Sequence, residues 1–460
     1  MQIKEFLNTV CEQVKYKPIR QNISEELKNH VEEIKENYIA EGISEEIAET
    51  KAIEQMGNGI EIGKKLNKIH KPKLDWKLLI ILGILVSFGF LVSMTKTVNT
   101  TTMQNMNYMT KFIIALVIGT MISVAIYFFD YTKLQKYSKY FYLIATITVI
   151  GTILCGTLIN GVPNISLGMG ISISASTIAM PLYILAFIGF LVNTDSKSKL
   201  QKLLDNKNIK INIRLIQIIL LSILSLVLLL QIPSIVSSLI LGGIYMILGT
   251  VKIWKARENR KKKIGILWVS TILITTFIVI ICIGNAPYII DRIKNTFQPE
   301  NDPQGWGWLG VNRNLIIQSA QNFGEAEDTS TAITLFDEGT NYALISILAH
   351  YGWGITISIM AVVLIFSIKL MINSIKIKDL YGKLITIGIS SMFILQSICN
   401  ILMNFNLGME ANFNLPFISY GGSNLIINLV SLALILSVYR RKDIITIQYP
   451  ENISNTVENN

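Results

Sequence analysis

The chain has 460 residues, of which 51% are hydrophobic and only 16% charged, with a formal net charge of +10. A soluble domain carries about 25% charged residues, whereas the apolar residues here fall in blocks near the roughly 20 that a helix needs to cross a bilayer. A soluble fold is excluded, and so is a nucleic-acid binder, because the basic residues gather in short loops between apolar blocks rather than on one face.

Residues 1–75 are polar and helical in pattern, unlike a secretory signal. In "ISEELKNHVEEIKENYIAEG", Ser24 suits an N-cap, Glu25 and Glu26 suit a first helical turn, and Gly42 a stop. "ISEEIAETKAIEQMG" repeats that grammar from Ser44 to Gly57, and Leu27, Val31, Ile34 and Tyr38 mark a buried stripe. A small cytoplasmic head of three or four short helices is expected.

Ten spans follow, at about 76–94, 112–129, 141–159, 173–192, 215–232, 234–251, 264–283, 342–372, 384–403 and 422–439. Loops 130–140, 193–214, 252–263 and 373–383 and the segment 440–442 hold 3, 6, 7, 3 and 3 Lys and Arg; the alternate loops hold 2, 0, 0, 3 and 0. The positive-inside rule puts the first set, and both termini, in the cytoplasm of a multi-pass membrane protein. Only Pro233 separates the fifth and sixth blocks; fusing them would put two basic loops on opposite sides, so a Pro-centred hairpin is expected. The long external loop, 284–340, contains "DPQGWGWLG", in which Trp306 and Trp308 suit the membrane interface or a platform for a sugar or headgroup. The tail, 443–460, is polar and read as disordered. Cys11, Cys155, Cys282 and Cys399 share no close spacing, as expected of single buried thiols.

Before the last span stands "NFNLPFISYGGSNL", residues 412–425. A Pro, two Gly and two Ser at that depth mean irregular backbone, which a membrane protein tolerates where it is buried or lines a cavity. The helix start that follows offers free N–H groups to an anion.

"LPFISYGGSNL" resembles the signature of the SEDS family, the RodA/FtsW/SpoVE type of cell-shape and cell-division membrane proteins. The resemblance runs from about residue 76 to 442: "DPQGWGW" is similar to the family's external-loop motif, "IQSAQNFG" (317–324) to its "IGSGGLFG", and Gln396 with Asn400 to its "QxxxN". The prefix resembles the helical domain ahead of various permeases. The family implies an all-α fold of ten transmembrane helices with cytoplasmic termini. It also implies transfer of a glycan from undecaprenyl pyrophosphate to the 4-hydroxyl of lipid II, with an external-loop Asp of a "TDF" motif as the proposed catalytic residue. That hydroxyl needs a base to take its proton, and a carboxylate could also hold a divalent cation such as Mg²⁺.

Here the motif reads Thr340-Asn341-Tyr342. An amide has no useful basicity. The family's "NGARRWI" appears as "NGVPNIS" (160–166), its "QPSElaK" as Ser174–Met180 without the acid and the lysine, and His350 stands where the family has an acid. Asp337, four residues before Asn341, is the substitute carboxylate to consider, and Glu410 is a second acid that could face the same cavity. His350 is expected to bond across helices. The resemblance implies substrate contacts from Thr340, Gln396, Asn400, Pro416, Ser419, Tyr420, Gly421, Gly422 and Ser423; packing and support of the turn are the alternative role for several of them.

Three functions fit these residues. One is a non-catalytic relative that binds a polyprenyl-linked glycan lipid, or a partner such as a penicillin-binding transpeptidase. The second is an active peptidoglycan glycosyltransferase using Asp337. The third is a flippase or small-molecule transporter.

Overall fold

The computed structural model describes residues 2–16, 19–69, 73–98, 108–159, 162–166, 172–193, 213–232, 235–255, 288–326, 340–410 and 413–442. The seventh expected span, Pro233, Cys282, Asp337 and the tail lie outside the described residues. The chain divides into two compact units. One is Met1–Asp75 with Ile377–Asp379 and Val438–Asn460; the other is Trp76–Lys376 with Leu380–Ser437.

In the first unit, α1 (Gln2–Gln13), α2 (Arg20–Ala40), α3 (Glu45–Met56) and α4 (Gly59–Ile69) pack together. Their shared core is Phe6, Leu7, Val10, Val14, Ile19, Ile23, Val31 and Ala52, with Leu27 and Ile34 partly buried against it. The second helix starts four residues before Ser24, at Arg20, and Ile19 precedes it without a side-chain cap. Burial of Ile19 and Ile23 draws that extra turn into the helix, overriding the capping pattern. Ser44 does precede α3, with Gly57 just beyond its end.

The second unit is an α-helical membrane body. Its helices are α5 (Trp76–Val98), α6 (Tyr108–Phe128), α7 (Ser138–Cys155), α8 (Ala175–Val192), α9 (Ile213–Gln231), α10 (Ile235–Lys255), α11 (Tyr288–Phe297), α12 (Trp308–Ser319), α13 (Ala343–Ile375), α14 (Leu380–Asn404) and α15 (Gly422–Arg440). Among the described residues nine helices are long and apolar enough to cross a membrane: α5 to α10 and α13 to α15. Helices α9 and α10 are separate and pack on each other, as a hairpin requires. Helix α14 occupies the interior, against α8, α10 and α13. By contrast α6 exposes Ile113, Val117, Met121 and Val124, the surface a helix offers to lipid.

Two boundaries depart from the hydropathy reading. The third span was expected to run to 159, but α7 stops at Cys155 and Gly156 turns extended. The chain then forms a three-stranded antiparallel sheet of β1 (Thr157–Ile159), β2 (Val162–Ser166) and β3 (Ser172–Ser174), with Leu158 opposite Pro163 and Ile165 opposite Ile173. Short β-branched stretches broken by Gly, Asn and Pro favour strands over another helical turn, and α8 accordingly starts at Ala175.

Helix α13 is interrupted at Gly352, whose φ of 78° and ψ of −176° are not helical. The N–H groups of Trp353 and Gly354 donate to the carbonyls of Gln321 and Asn322 at 3.0 and 2.9 Å, and that of Ala326 donates back to Ala349 at 2.7 Å. A side chain at position 352 would lie 2.5 Å from the Gln321 oxygen. Glycine is what lets that loop press onto the break. The expected span at 342–372 is therefore a buried short helix followed by a crossing one.

Candidate functional site

The turn Thr340–Tyr342 leads into the buried start of α13, and side-chain amides from α14 hold it. Asn400 and Asn404, both buried, donate from Nδ2 to the Asn341 carbonyl at 2.9 and 3.1 Å. Asn404 Oδ1 accepts the Ile345 N–H at 3.1 Å, one of the first amides of α13 and so without a partner inside the helix. Asn400 Nδ2 also reaches the Phe413 carbonyl at 2.6 Å. One amide thus ties the Asn341 turn to the segment before the glycine-rich turn. Helical spacing puts Asn400 and Asn404 on one face, since residues four apart are neighbours.

Beside this turn is a buried charge pair. Arg313 of α12 is 1% exposed; its Nη2 contacts Glu410 Oε1 at 2.5 Å and its Nη1 donates to the Met403 carbonyl at 2.8 Å, near the end of α14. The other Glu410 oxygen accepts the Tyr342 hydroxyl at 2.6 Å. The guanidinium carbon sits 5.3 Å from the centre of the Tyr342 ring, close enough for attraction to its π face. A cation at a helix C-terminus is favourable, and a buried pair holds only when such additional bonds serve its remaining atoms.

The glycine-rich stretch makes a tight turn. Leu415 N–H donates to Ser419 Oγ at 2.8 Å, and the N–H groups of Ile418 and Ser419 fold back to the Leu415 carbonyl at 3.2 and 3.0 Å. Pro416, Phe417, Ile418 and Ser419 are buried, with Tyr420, Gly421, Gly422 and Ser423 half-buried. Phe417, at φ 66°, packs on Phe366 and Phe393. Helix α5 reaches the turn at Gly89, where a Cβ would lie 2.5 Å from the Phe417 carbonyl.

The structure brings Thr340, Asn341 and Asn400 together and links them to Phe413. It does not bring Gln396 into that hydrogen-bonded group: its amide points at Met180 Sδ of α8, 3.5 Å away, a packing contact. His350 does not bond across helices among the described residues, since its Nδ1 lies 2.9 Å from the Ser346 carbonyl one turn back. Cys155 is exposed rather than buried, because it ends α7. Trp306 is exposed above a turn in which Asp302 accepts from the N–H groups of Gly305 and Trp306 at 3.1 and 2.9 Å.

Arg313, Tyr342 and Asn404 are the residues that sequence reading missed. Arg313 lies between the "DPQGWGW" and "IQSAQNFG" motifs and in neither, and 97 residues separate it from Glu410. Among the described residues no group of three His, Cys, Asp or Glu could hold a metal ion. An amide at 341 and a carboxylate already shared by Arg313 and Tyr342 do not make the anionic oxygen set that Mg²⁺ favours.

The sequence pattern of a family described as "Cell cycle protein", that of FtsW, RodA and SpoVE, matches residues 74–444. A "Probable peptidoglycan glycosyltransferase FtsW" of Trichlorobacter lovleyi is 27% identical over 164 residues, 35% of this chain and 43% of that relative. "Stage V sporulation protein E" of Bacillus subtilis is 30% identical over 162 residues, 34% of this chain and 43% of that one. The chain thus matches less than half the length of these curated relatives. A chain from a solved peptidoglycan synthase complex shares the fold, with TM-score 0.60 and 19% identity over 80% of this chain and 98% of that chain. With the signature turn, the all-α membrane body and a matched stretch of this extent, the chain belongs to the FtsW/RodA/SpoVE family, the SEDS proteins.

Proposed function

We propose that this protein works in bacterial cell-wall assembly as a SEDS protein without the catalytic carboxylate, holding a polyprenyl-linked glycan lipid rather than polymerising it. The observation that carries the reading is the amide at Asn341. The family's motif has an acid there, and this chain has a neutral side chain whose backbone carbonyl is fixed by Asn400 and Asn404. Glu410, an acid bonded to the neighbouring Tyr342, has both oxygens engaged by Arg313 and Tyr342. Without a base the acceptor hydroxyl stays a weak nucleophile, and loss of general-base catalysis commonly costs about 10²–10⁴-fold in rate.

The same reading takes residues 1–75 as a cytoplasmic helical prefix, 76–442 as a ten-span membrane domain and 443–460 as a tail. Both termini face the cytoplasm by the distribution of Lys and Arg. A transpeptidase partner follows by analogy with the related synthase complex. Thr340 and the turn from Pro416 to Ser423 are the proposed lipid contacts.

The test is polymerisation of lipid II by the purified full chain with Mg²⁺, alone and with a candidate transpeptidase. No glycan from the native chain, together with product from Asn341→Asp, is the expected result. Product from the native chain that disappears on Asp337→Ala would overturn the reading and assign the base to Asp337. Lipid scrambling in liposomes without polymer would instead make the chain a transporter.

A further inference from the structure

We propose that Arg313 and Tyr342 form a phosphate-binding site, which Glu410 occupies from within the chain as a resident surrogate anion. One donor of the buried Arg313 guanidinium goes unserved. Nη1 and Nη2 of Arg313 have acceptors, but its buried Nε has none among the described residues. An arginine presents Nε and Nη2 as a parallel pair along one edge, which a carboxylate or phosphate can bridge. Glu410 does not bridge it: one oxygen takes Nη2, and the other turns to the Tyr342 hydroxyl. With one oxygen on Nη2 and the other turned to the tyrosine, neither faces Nε, and a buried donor is left orphaned, an arrangement that folded proteins avoid. A phosphate group carries a third oxygen, so it can accept from Nε, Nη2 and the Tyr342 hydroxyl together.

The surroundings suit such an exchange. Arg313 is fixed, being buried on a helix and anchored to the Met403 carbonyl. Glu410 follows α14 outside any helix or strand, and its side chain retains 13% exposure, so it is the partner able to leave. The turn that carries Tyr342 presents Thr340 and Asn341, both uncharged, and therefore adds no repulsion toward an incoming anion. The ligand class is a phosphate or diphosphate ester, as a lipid headgroup or as a free anion.

The experiment uses the purified full chain and Glu410→Gln, titrated calorimetrically with inorganic pyrophosphate. Phosphatidylcholine vesicles with and without a polyprenyl diphosphate form a second arm. Glu410→Gln is expected to bind pyrophosphate at least about tenfold more tightly than the native chain, because the competing charge is gone. Adding Tyr342→Phe should cost about tenfold, the value of one hydrogen bond to a charged group. Arg313→Gln with Glu410→Gln, which leaves no lone buried charge, should abolish binding. If Glu410→Gln fails to fold, Glu410→Asp, too short to reach both partners, should show a smaller gain. The same dependence seen with diphosphate-bearing vesicles and not with free pyrophosphate supports the site and names the lipid as its source. Equal behaviour of the native chain and the variants in both arms overturns it. Because free pyrophosphate probes the site alone, that failure leaves the non-polymerising reading standing, and product formation in the polymerisation assay leaves the phosphate site standing.

Discussion

Two turns lead into helices at the heart of the membrane body, and different forces hold them. The turn before α15 is closed by its own backbone and its own side chains, the Ser419 hydroxyl and the Asn414 amide that donates to the Tyr420 carbonyl, and is wedged by Phe417 against Phe366 and Phe393. The turn before α13 is held by side chains arriving from elsewhere: two amides from α14, and a buried arginine–glutamate pair with a tyrosine. The first matches the family signature almost letter for letter, yet every bond named in it is architectural. The second departs from the family's motif at Asn341, and charge and hydrogen-bonding capacity concentrate beside it.

This contrast can be broken by mutation. Arg313→Ala leaves the half-buried Glu410 without its cation and should destabilise the chain by up to about 3–5 kcal/mol, measured by thermal unfolding in detergent. The paired change Arg313→Met with Glu410→Leu should cost much less. If both cost the same, the charge pair does not hold the Asn341 turn. Against the other turn, Gly89→Val drives a branched side chain into the Phe417 carbonyl and should cost about 1–3 kcal/mol; no loss would mean that the turn can move away from α5. Asn400→Ala removes a donor shared by the Asn341 and Phe413 carbonyls, for about 1–3 kcal/mol. Because it joins the two turns, its effect should be smaller when combined with Asn404→Ala than the sum of the two singles. Ser419→Ala removes one internal bond of the glycine-rich turn, about 1 kcal/mol.

A control lies in the helical prefix. There the Lys35 ammonium holds Glu45 below its usual carboxylate range through a direct hydrogen bond at 2.7 Å. A depressed folded-state pKa means that the stabilisation is present at neutral pH and lost as the pH falls through that lowered value. Both groups sit at the surface, so Lys35→Ala should produce the smallest change of the series in an acid-unfolding curve.

Much of the membrane body was legible from hydropathy, because a bilayer demands long apolar helices and offers few alternatives. The prefix was legible through its helix grammar, apart from the start of α2, where buried Ile19 and Ile23 outweighed a serine cap. The small sheet after α7 was not foreseen, since strands of three to five residues leave little periodic signal. In the turn before α13, motif spacing singles out Asn341 and Asn400, which the structure joins by a hydrogen bond. Glu410 was noticed only as an acid in the right neighbourhood. Arg313 was hidden because an ion pair formed across 97 residues has no local signature.

Because α13 is broken at Gly352, the insertion machinery meets one greasy stretch where the finished protein has two. Trp353–Ile375 can rise about 35 Å at 1.5 Å per residue and suffices to anchor in the bilayer. Ala343–Tyr351 rises about 14 Å, half a crossing, and cannot be threaded as an independent span. It depends instead on docking against the rest of the body, where the Gln321–Ala326 segment closes onto the break.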